Sequence, residues 1–389
     1  MDELDLSNKR VLIRVDLNVP LQKGKILNEA KLLAILPTLA LALKANASIL
    51  LLSHLGRPKE GQFTPELSLQ PVAERLSALL GRTVRLEKNW LQGIQNAPGE
   101  IVLGENVRFN IGEEANDEML AKRMSDLCDV FIMDAFATAH RAQASTVGIA
   151  KFAKIVAAGP LMIAELNALH TVFQAPLHPL VAIVGGSKIS SKLHILRSLI
   201  EKVDTLIVGG GIANTFIAAL GYSIGNSLYE PDLIPMAKVL LETAKTRSME
   251  LVVPVDAVAA KDLTDNQVRV VSVDAIAREE KIFDVGPKTS ERYKEILTKA
   301  KTILWNGPVG VFEVEAFEAG TKKLAKAIAD AKAFSVAGGG ETLAAIDKYN
   351  IMHALSYVST GGGAFLEYLE GKKLPAVAAL EAHTNAISF

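Results

Sequence analysis

The sequence predicts an α/β protein of two lobes, each a parallel β-sheet covered by helices on both faces. Three observations carry this expectation. Short apolar runs alternate with amphipathic segments about ten times along the chain. Those runs are continuously apolar, as strands covered on both faces should be. The residues that end them change character midway, from Asp, His and Arg to clusters of glycine. Such alternation builds parallel sheets, and 389 residues at ~150 per domain allow two or three domains.

The predicted strands are, in order, 11–15, 49–52, 101–103, 130–133, 181–184, 206–208, 251–253, 302–304, 334–336 and 357–359. Between them, 71–80, 193–203 and 317–331 carry Leu, Ile and Ala at helical spacing. The segment 161–172 is helical by the same pattern, and Pro176 and Pro179 then mark a break. This helix is the expected connector between a first domain, 1–170, and a second, 171–374. Periodicity does not assign the last segment, 375–389.

Composition excludes several classes of function. Lys and Arg number 42 against 43 Asp and Glu, for a net charge of −1, so the basic surplus of a nucleic-acid binder is missing. One cysteine, Cys128, allows neither an internal disulfide nor a cysteine metal cage. The uncharged stretch 205–229 is interrupted by Gly209, Gly210, Gly211 and Asn214, so it reads as strand, turn and short helix rather than a membrane span. The opening MDELDLSNKR shows no apolar signal core. The expectation is a soluble cytoplasmic protein that contacts neither membrane nor nucleic acid.

Ligands of open parallel sheets sit at the carboxyl ends of the strands, where helix N-termini point. In the first half these ends carry Arg14, Asp16 and Asn18, then His54 and Arg57, then Arg108, then His140 and Arg141. Guanidinium forks converging from four strand ends fit a small polyanion. In the second half they carry Gly185-Gly-Ser-Lys188 with Lys192 beyond, Gly209-Gly-Gly211, Asn306-Gly-Pro-Val-Gly310, Gly338-Gly-Gly-Glu341 and Gly361-Gly-Gly363. Glycine lets backbone N–H groups approach an anion, which suggests a nucleotide. Neither a P-loop nor a dinucleotide fingerprint is present. His170, His178, His194, His353 and His383 are scattered and read as structural or exposed. No His/Asp/Glu set has metal-ligand spacing, although Mg²⁺ travelling with a nucleotide needs only one or two carboxylates.

RVDLNVP at 14–20, SHLGRP at 53–58, ENVRF at 105–109 and DAFATAHRAQAS at 134–145 resemble phosphoglycerate kinases. So do VGGSKISSK at 184–192, DVGPKT at 284–289, WNGPVGVFE at 305–313, GGGET at 338–342 and STGGGA at 359–364, in matching order over essentially the whole chain. The resemblance implies two Rossmann-like lobes joined by a hinge helix, with 375–389 packing back on the first. It implies reversible phosphoryl transfer between 1,3-bisphosphoglycerate and ADP, giving 3-phosphoglycerate and ATP, with Mg²⁺, in a monomer that closes about its hinge. By motif, Asp16, Leu17, Asn18, Lys31, His54, Leu55, Gly56, Arg57, Arg108, His140 and Arg141 would hold the phosphoglycerate. Lys192, Glu313, Gly339, Gly340, Glu341 and Thr342 would hold the nucleotide, with Glu341 beside the metal. Lys188, Lys192, Arg14 and Gly362 would serve the transferring phosphoryl group.

Four positions depart from the family pattern: Leu17 for Phe, Ala137 for Gly, Lys31 for Arg and Glu341 for Asp. Lysine keeps the charge of arginine without its fork, and Glu adds a methylene beside a metal with strict geometry. The alternative reading is a non-catalytic two-lobed receptor for a phosphorylated metabolite. A nicotinamide dehydrogenase stands third, disfavoured by the missing fingerprint.

Overall fold

The computed structural model describes residues 1, 3–265 and 267–387, with side chains as far as residue 383. Its first sheet contains β1 (Arg10–Arg14), β2 (Ser48–Leu52), β3 (Val84–Glu87), β4 (Ile101–Gly104), β5 (Val130–Met133) and β6 (Ile155–Ala158) in the order β3-β4-β2-β1-β5-β6. Every neighbouring pair is parallel; Val11 at the centre faces Ile49 on one side and Val130 on the other. The chain builds outward from β1 in one direction, then returns to build in the other. The reversal opens a crevice at the carboxyl ends of β1 and β5.

The second sheet repeats the plan. It contains β7 (Leu180–Val184), β8 (Thr205–Val208), β9 (Glu250–Val252), then β13 (Thr302–Asn306), β14 (Phe334–Gly338) and β15 (Tyr357–Ser359), in the order β9-β8-β7-β13-β14-β15 and again all parallel. Its reversal lies between β7 and β13. The central strands β2, β4, β5, β7, β8 and β13 are buried at every residue, which is why they read as unbroken apolar runs.

Three features depart from the expected elements. The edge strands β3 and β6 escape the apolar-run pattern because their residues are only partly covered and β3 carries Arg85 and Glu87. A third sheet joins β10 (Asp256–Ala260), β11 (Arg269–Ser272) and β12 (Lys281–Val285), antiparallel with β10 central. Its alanine-rich middle strand lacks the β-branched signal of a strand. Leu21–Gln22 and Lys25–Ile26 form a short antiparallel hairpin.

Packing divides the chain into two compact units, Met1–Leu166 with the segment from Lys373, and Asn167–Lys372. The division falls inside the helix Pro160–Phe173, a few residues before residue 170. The last helix, Pro375–Ile387, lies against β6, and Ala376 N–H donates to the Ala139 carbonyl at 3.0 Å. No described helix is long and apolar enough to cross a membrane.

Asp134, just past β5, caps the helix Pro160–Phe173 from a distance. Its Oδ1 accepts from the N–H groups of Leu161 (2.8 Å) and Met162 (3.1 Å), and its Oδ2 accepts from the Thr38 hydroxyl at 2.5 Å. The carboxylate is 1 % exposed, and Gly159 leaves room for it, since a Cβ there would lie 2.2 Å from Asp134 Cγ. Three donors would lose their acceptor together in Asp134→Ala. Urea unfolding followed by Trp90 fluorescence, in a Trp305→Phe background, should show a loss of about 3 kcal/mol. A loss below about 0.5 kcal/mol would show that the cap is dispensable.

Candidate active site

The carboxyl ends of β1, β2, β4 and β5 bring the predicted basic residues into one neighbourhood. Arg14 is fully buried, and its Nη2 donates to His54 Nδ1 at 3.3 Å. Burial pushes the Arg14 guanidinium down to about 10, and Glu113 and Asp16 oppose that shift while Arg108 and Arg141 add to it. Burial also drives the His54 imidazolium far below its ordinary range, helped by Arg14, Arg108, Lys31 and Arg141. His54 is therefore neutral. Arg108, 3 % exposed, is lowered by burial and by its neighbours Arg141 and Arg57.

Most of these charged groups have a specific anchor. Arg108 Nη1 donates to the Gly56 carbonyl at 2.5 Å, and its Nε finds no acceptor among the described residues, the nearest carboxylate being Glu114 at 3.7 Å. Gly56 N–H donates to Asn18 Oδ1 at 3.0 Å, and Asp16 Oδ1 accepts from Asn18 N–H at 3.1 Å. Lys31 sits in the short helix Ala30–Ala34, started by Asn28 Oδ1 accepting from Ala30 N–H, and its Nζ donates to Asp16 Oδ2 at 2.6 Å. Arg141 Nε donates to His140 Nε2 at 3.2 Å. Arg57 is exposed. Leu17 and Leu55 are buried in the apolar core, at 0 % and 2 % exposure, so their side chains face away from any ligand and only their backbone can serve one.

In the second unit a cavity of about 690 Å³ opens at the carboxyl ends of its strands, lined by Gly186, Gly210, Asn226, Phe283, Glu313 and Glu341 among others. Lys192 lies beside it. Its Nζ donates to the carbonyls of Gly185 (2.8 Å) and Asn306 (3.1 Å), the residues at the ends of β7 and β13. The ammonium therefore occupies the point where the strand order reverses. Two glycines make room: a Cβ on Gly185 would lie 1.8 Å from the Pro308 carbonyl oxygen, and one on Gly307 (φ +105°) 2.9 Å from Lys192 Nζ. Burial lowers Lys192 to about 8, against the opposing pull of Glu341.

The other predicted residues divide by exposure. Lys188 and Glu313 are exposed, and Glu341 opens the helix Gly340–Lys348 at the cavity wall. Gly339 (φ +100°) precedes that helix, and a Cβ on Gly340 would meet nothing within 4 Å. Thr342 is fully buried; its hydroxyl donates to the Gly338 carbonyl at 2.9 Å and accepts from Gly307 N–H at 2.8 Å, so it braces the loop. Gly362 precedes the helix Gly363–Leu369 with φ +50° and is exposed. Of the scattered histidines, His178 pairs with Asp204 at 2.6 Å. No group of three potential metal ligands occurs among the described residues.

The family model for phosphoglycerate kinase matches residues 1–372. The chain belongs to the phosphoglycerate kinase family. Two solved structures are similar along their whole length. Phosphoglycerate kinase from Coxiella burnetii is 54% identical, with 98% of each chain covered and a TM-score of 0.96. That from Pyrococcus horikoshii OT3 is 32% identical, with 99% of each covered and a TM-score of 0.83. The protein is thus a kinase with a carboxyl acceptor, and neither the receptor nor the dehydrogenase reading is supported.

One cavity residue belongs to a family motif, DVGPKT, without having been among the predicted site residues. Asp284 is the penultimate residue of β12, lines the cavity and is 1 % exposed. Its Oδ2 accepts from Gly320 N–H at 2.6 Å, next to the start of the helix Ala319–Asp330. Gly310 and Gly320 both press on it; a Cβ at either would lie within 2.3 Å of its Oδ1. Asp284 thereby joins β12 to the start of that helix, with Gly310 of the loop after β13 packed against it.

Burial raises the Asp284 carboxyl to about 7. Below the unfolded value, near 4, both states hold the proton. Between about 4 and 7 only the folded state holds it, so this contribution to stability falls as pH rises and is lost above 7. Asp284→Asn should escape that loss. Urea unfolding read through Trp305 should show the variant gaining on wild type between pH 4 and 8, by a term on the order of 4 kcal/mol. Parallel stability curves would mean that Asp284 does not titrate in this window.

Proposed function

We propose that the first unit holds the phosphoglycerate and the second the nucleotide. The observation that carries this reading is positive charge held under burial at both strand reversals, Arg14 and Arg108 in the first unit and Lys192 in the second. Five cations of the first unit (Arg14, Lys31, Arg57, Arg108 and Arg141) stand against the carboxylates of Asp16, Glu113 and Glu114. A small ligand bearing a phosphate and a carboxylate satisfies them, and the unmatched Nε of Arg108 is a donor suited to one. Asp16, Asn18, His54, Arg57, Arg108, His140 and Arg141 contact it, with backbone of Leu17, Leu55 and Gly56. Lys31, already paired with Asp16, contributes a point charge where a fork would have gripped two oxygens.

In the second unit Glu313 takes the ribose hydroxyls at one wall of the cavity, and Gly339, Gly340, Glu341 and braced Thr342 present a helix N-terminus to the phosphates. Glu341, in the first turn of that helix at the cavity wall, is the carboxylate we assign to a metal carried by those phosphates, and a single carboxylate suits Mg²⁺. Bound with the nucleotide, Mg²⁺ would supply charge neutralisation on the phosphate oxygens. A carboxylate oxygen of 3-phosphoglycerate attacks the γ-phosphorus of ATP, the bond to the bridging oxygen of ADP breaks, and an acyl phosphate forms. Such transfer needs in-line positioning and compensation of charge on the equatorial oxygens. Lys192, Lys188, Arg14 and the N–H groups at Gly362 supply the compensation. With the ligands in separate units, in-line attack requires hinge closure, which also excludes water. A single chain carries every group named, which suits a monomer, and a lone buried thiol suits the reducing cytoplasm.

Two experiments test these assignments. Arg141→Ala should weaken 3-phosphoglycerate binding at least tenfold in calorimetry and leave ADP binding unchanged, whereas Glu313→Ala should do the reverse. Equal effects of either variant on both ligands would refute the division of labour.

Lys192 gives the second. With its ammonium near 8, about half of the free protein lacks that proton at pH 8. A phosphate beside it favours the charged form, so MgADP binding at pH 8 should take up protons, seen as a binding enthalpy that varies with buffer. Lys192→Met should abolish the uptake and lower kcat on the order of 100-fold or more. Near-normal kcat in the variant would remove Lys192 from the chemistry.

A further inference from the structure

Behind the basic cluster runs a buried hydrogen-bonded chain that leads to Arg14 and His54 and whose far members, Glu113 and Ser145, contact no ligand in the assignments above. Glu113, at 0 % exposure, accepts from the Ser145 hydroxyl at 2.5 Å and from Ser145 N–H at 3.0 Å. Its own carbonyl accepts from Ala144 N–H at 3.0 Å. Ser145 Oγ accepts in turn from Arg14 Nε at 3.0 Å. Arg14 Nη1 donates to the Val15 carbonyl, and Nη2 ends the chain at His54 Nδ1, 3.3 Å away.

The last link can run only one way. A guanidinium offers five N–H donors and no acceptor, so His54 Nδ1 must receive the hydrogen bond and cannot itself carry a proton. A neutral imidazole with a bare Nδ1 carries its proton on Nε2. We propose that Glu113 and Ser145, acting through Arg14, are positioning residues that hold His54 as the Nε2–H tautomer, so that this nitrogen donates to the anionic ligand. The proposal rests on the assignment of His54 to the phosphoglycerate site. With the opposite tautomer, a lone pair would face the anion and repel it.

The imidazolium form would also donate, but the surrounding cations and burial exclude it. Selecting the tautomer is therefore the way left to make His54 a donor in this cluster. Burial pushes the Glu113 carboxyl up, while its two hydrogen bonds from Ser145 and the charges of Arg14 and Arg108 pull it back. Its charged form in turn opposes the desolvation of Arg14. Ser145 sets the distance, since the carboxylate reaches Arg14 Nε through its hydroxyl.

The test is a long-range ¹H–¹⁵N spectrum of the full-length protein labelled at histidine, at neutral pH, with His54→Gln to assign the signals. Wild type should show His54 Nδ1 in the unprotonated range and Nε2 in the protonated range. Ser145→Ala should move both nitrogens towards a tautomeric average and raise KM for 3-phosphoglycerate roughly tenfold, leaving KM for ATP unchanged. A protonated Nδ1 in wild type, or unchanged nitrogen shifts in a folded Ser145→Ala, would overturn the proposal. Should that variant not fold, the wild-type spectrum decides alone. An unaltered KM for 3-phosphoglycerate in His54→Gln would instead overturn the site assignment and the donor role with it, whatever the tautomer.

Discussion

Arg14, Arg108 and Lys192 hold positive charge where there is little water, and burial pulls all three below their ordinary titration ranges. Removing a cation from water costs several kcal/mol unless dipoles or anions replace the solvent. The replacement here is mostly backbone. Carbonyls of Val15, Gly56, Gly185 and Asn306 accept from these three side chains, and all lie just beyond or at strand ends. Parallel sheets supply such carbonyls because every strand ends at the same edge. A cation seated at that edge is fixed in place yet under-neutralised, which is the condition for strong attraction to phosphate. Glycines at 185 and 307 follow from the same constraint, since any side chain there would collide with backbone or with the Lys192 amine.

Charge held this way is preorganised. The protein bears the cost of desolvation when it folds, so the ligand finds oriented donors rather than solvent that must be reordered. The departures from the family pattern fit within this scheme. Lys31 forms a 2.6 Å pair with Asp16 while a third of its side chain remains exposed, so the pair itself adds little stability. An ammonium can fix one ligand oxygen where a guanidinium can fix two, so in the proposed site Lys31 would orient a ligand less than the family's Arg. Glu341 keeps its carboxylate at the cavity wall and within electrostatic reach of Lys192.

Much of this architecture is legible in the amino-acid sequence. Ten apolar runs mark strands, and all six strands of the second sheet are among them; the central ones read clearly because burial on both faces leaves continuous apolar composition. Strand-end chemistry separates an Arg/His half from a glycine half, and the residues of the first half do converge. What the sequence hides has physical causes. Strands β3 and β6 are half-exposed edges, and the three-stranded antiparallel sheet has an alanine-rich middle strand and outer strands whose apolar residues are interrupted by charged or polar ones and partly exposed. Leu17 and Leu55 sit in family motifs but point into the core, a distinction that motif matching does not make. Thr342 braces a loop from within. Glu113 and Asp284 are invisible as site residues in the sequence because their importance lies in burial, which acidic residues do not advertise.

The central claim is that charge at these two edges directs a phosphoryl group onto a carboxylate. Hydroxylamine traps acyl phosphates as hydroxamates and pulls the unfavourable direction forward. Incubation of the protein with 3-phosphoglycerate, MgATP and hydroxylamine should therefore yield hydroxamate and ADP in equal amounts, with neither formed when 3-phosphoglycerate is left out. ADP appearing without hydroxamate, or no ADP at all, would contradict the account.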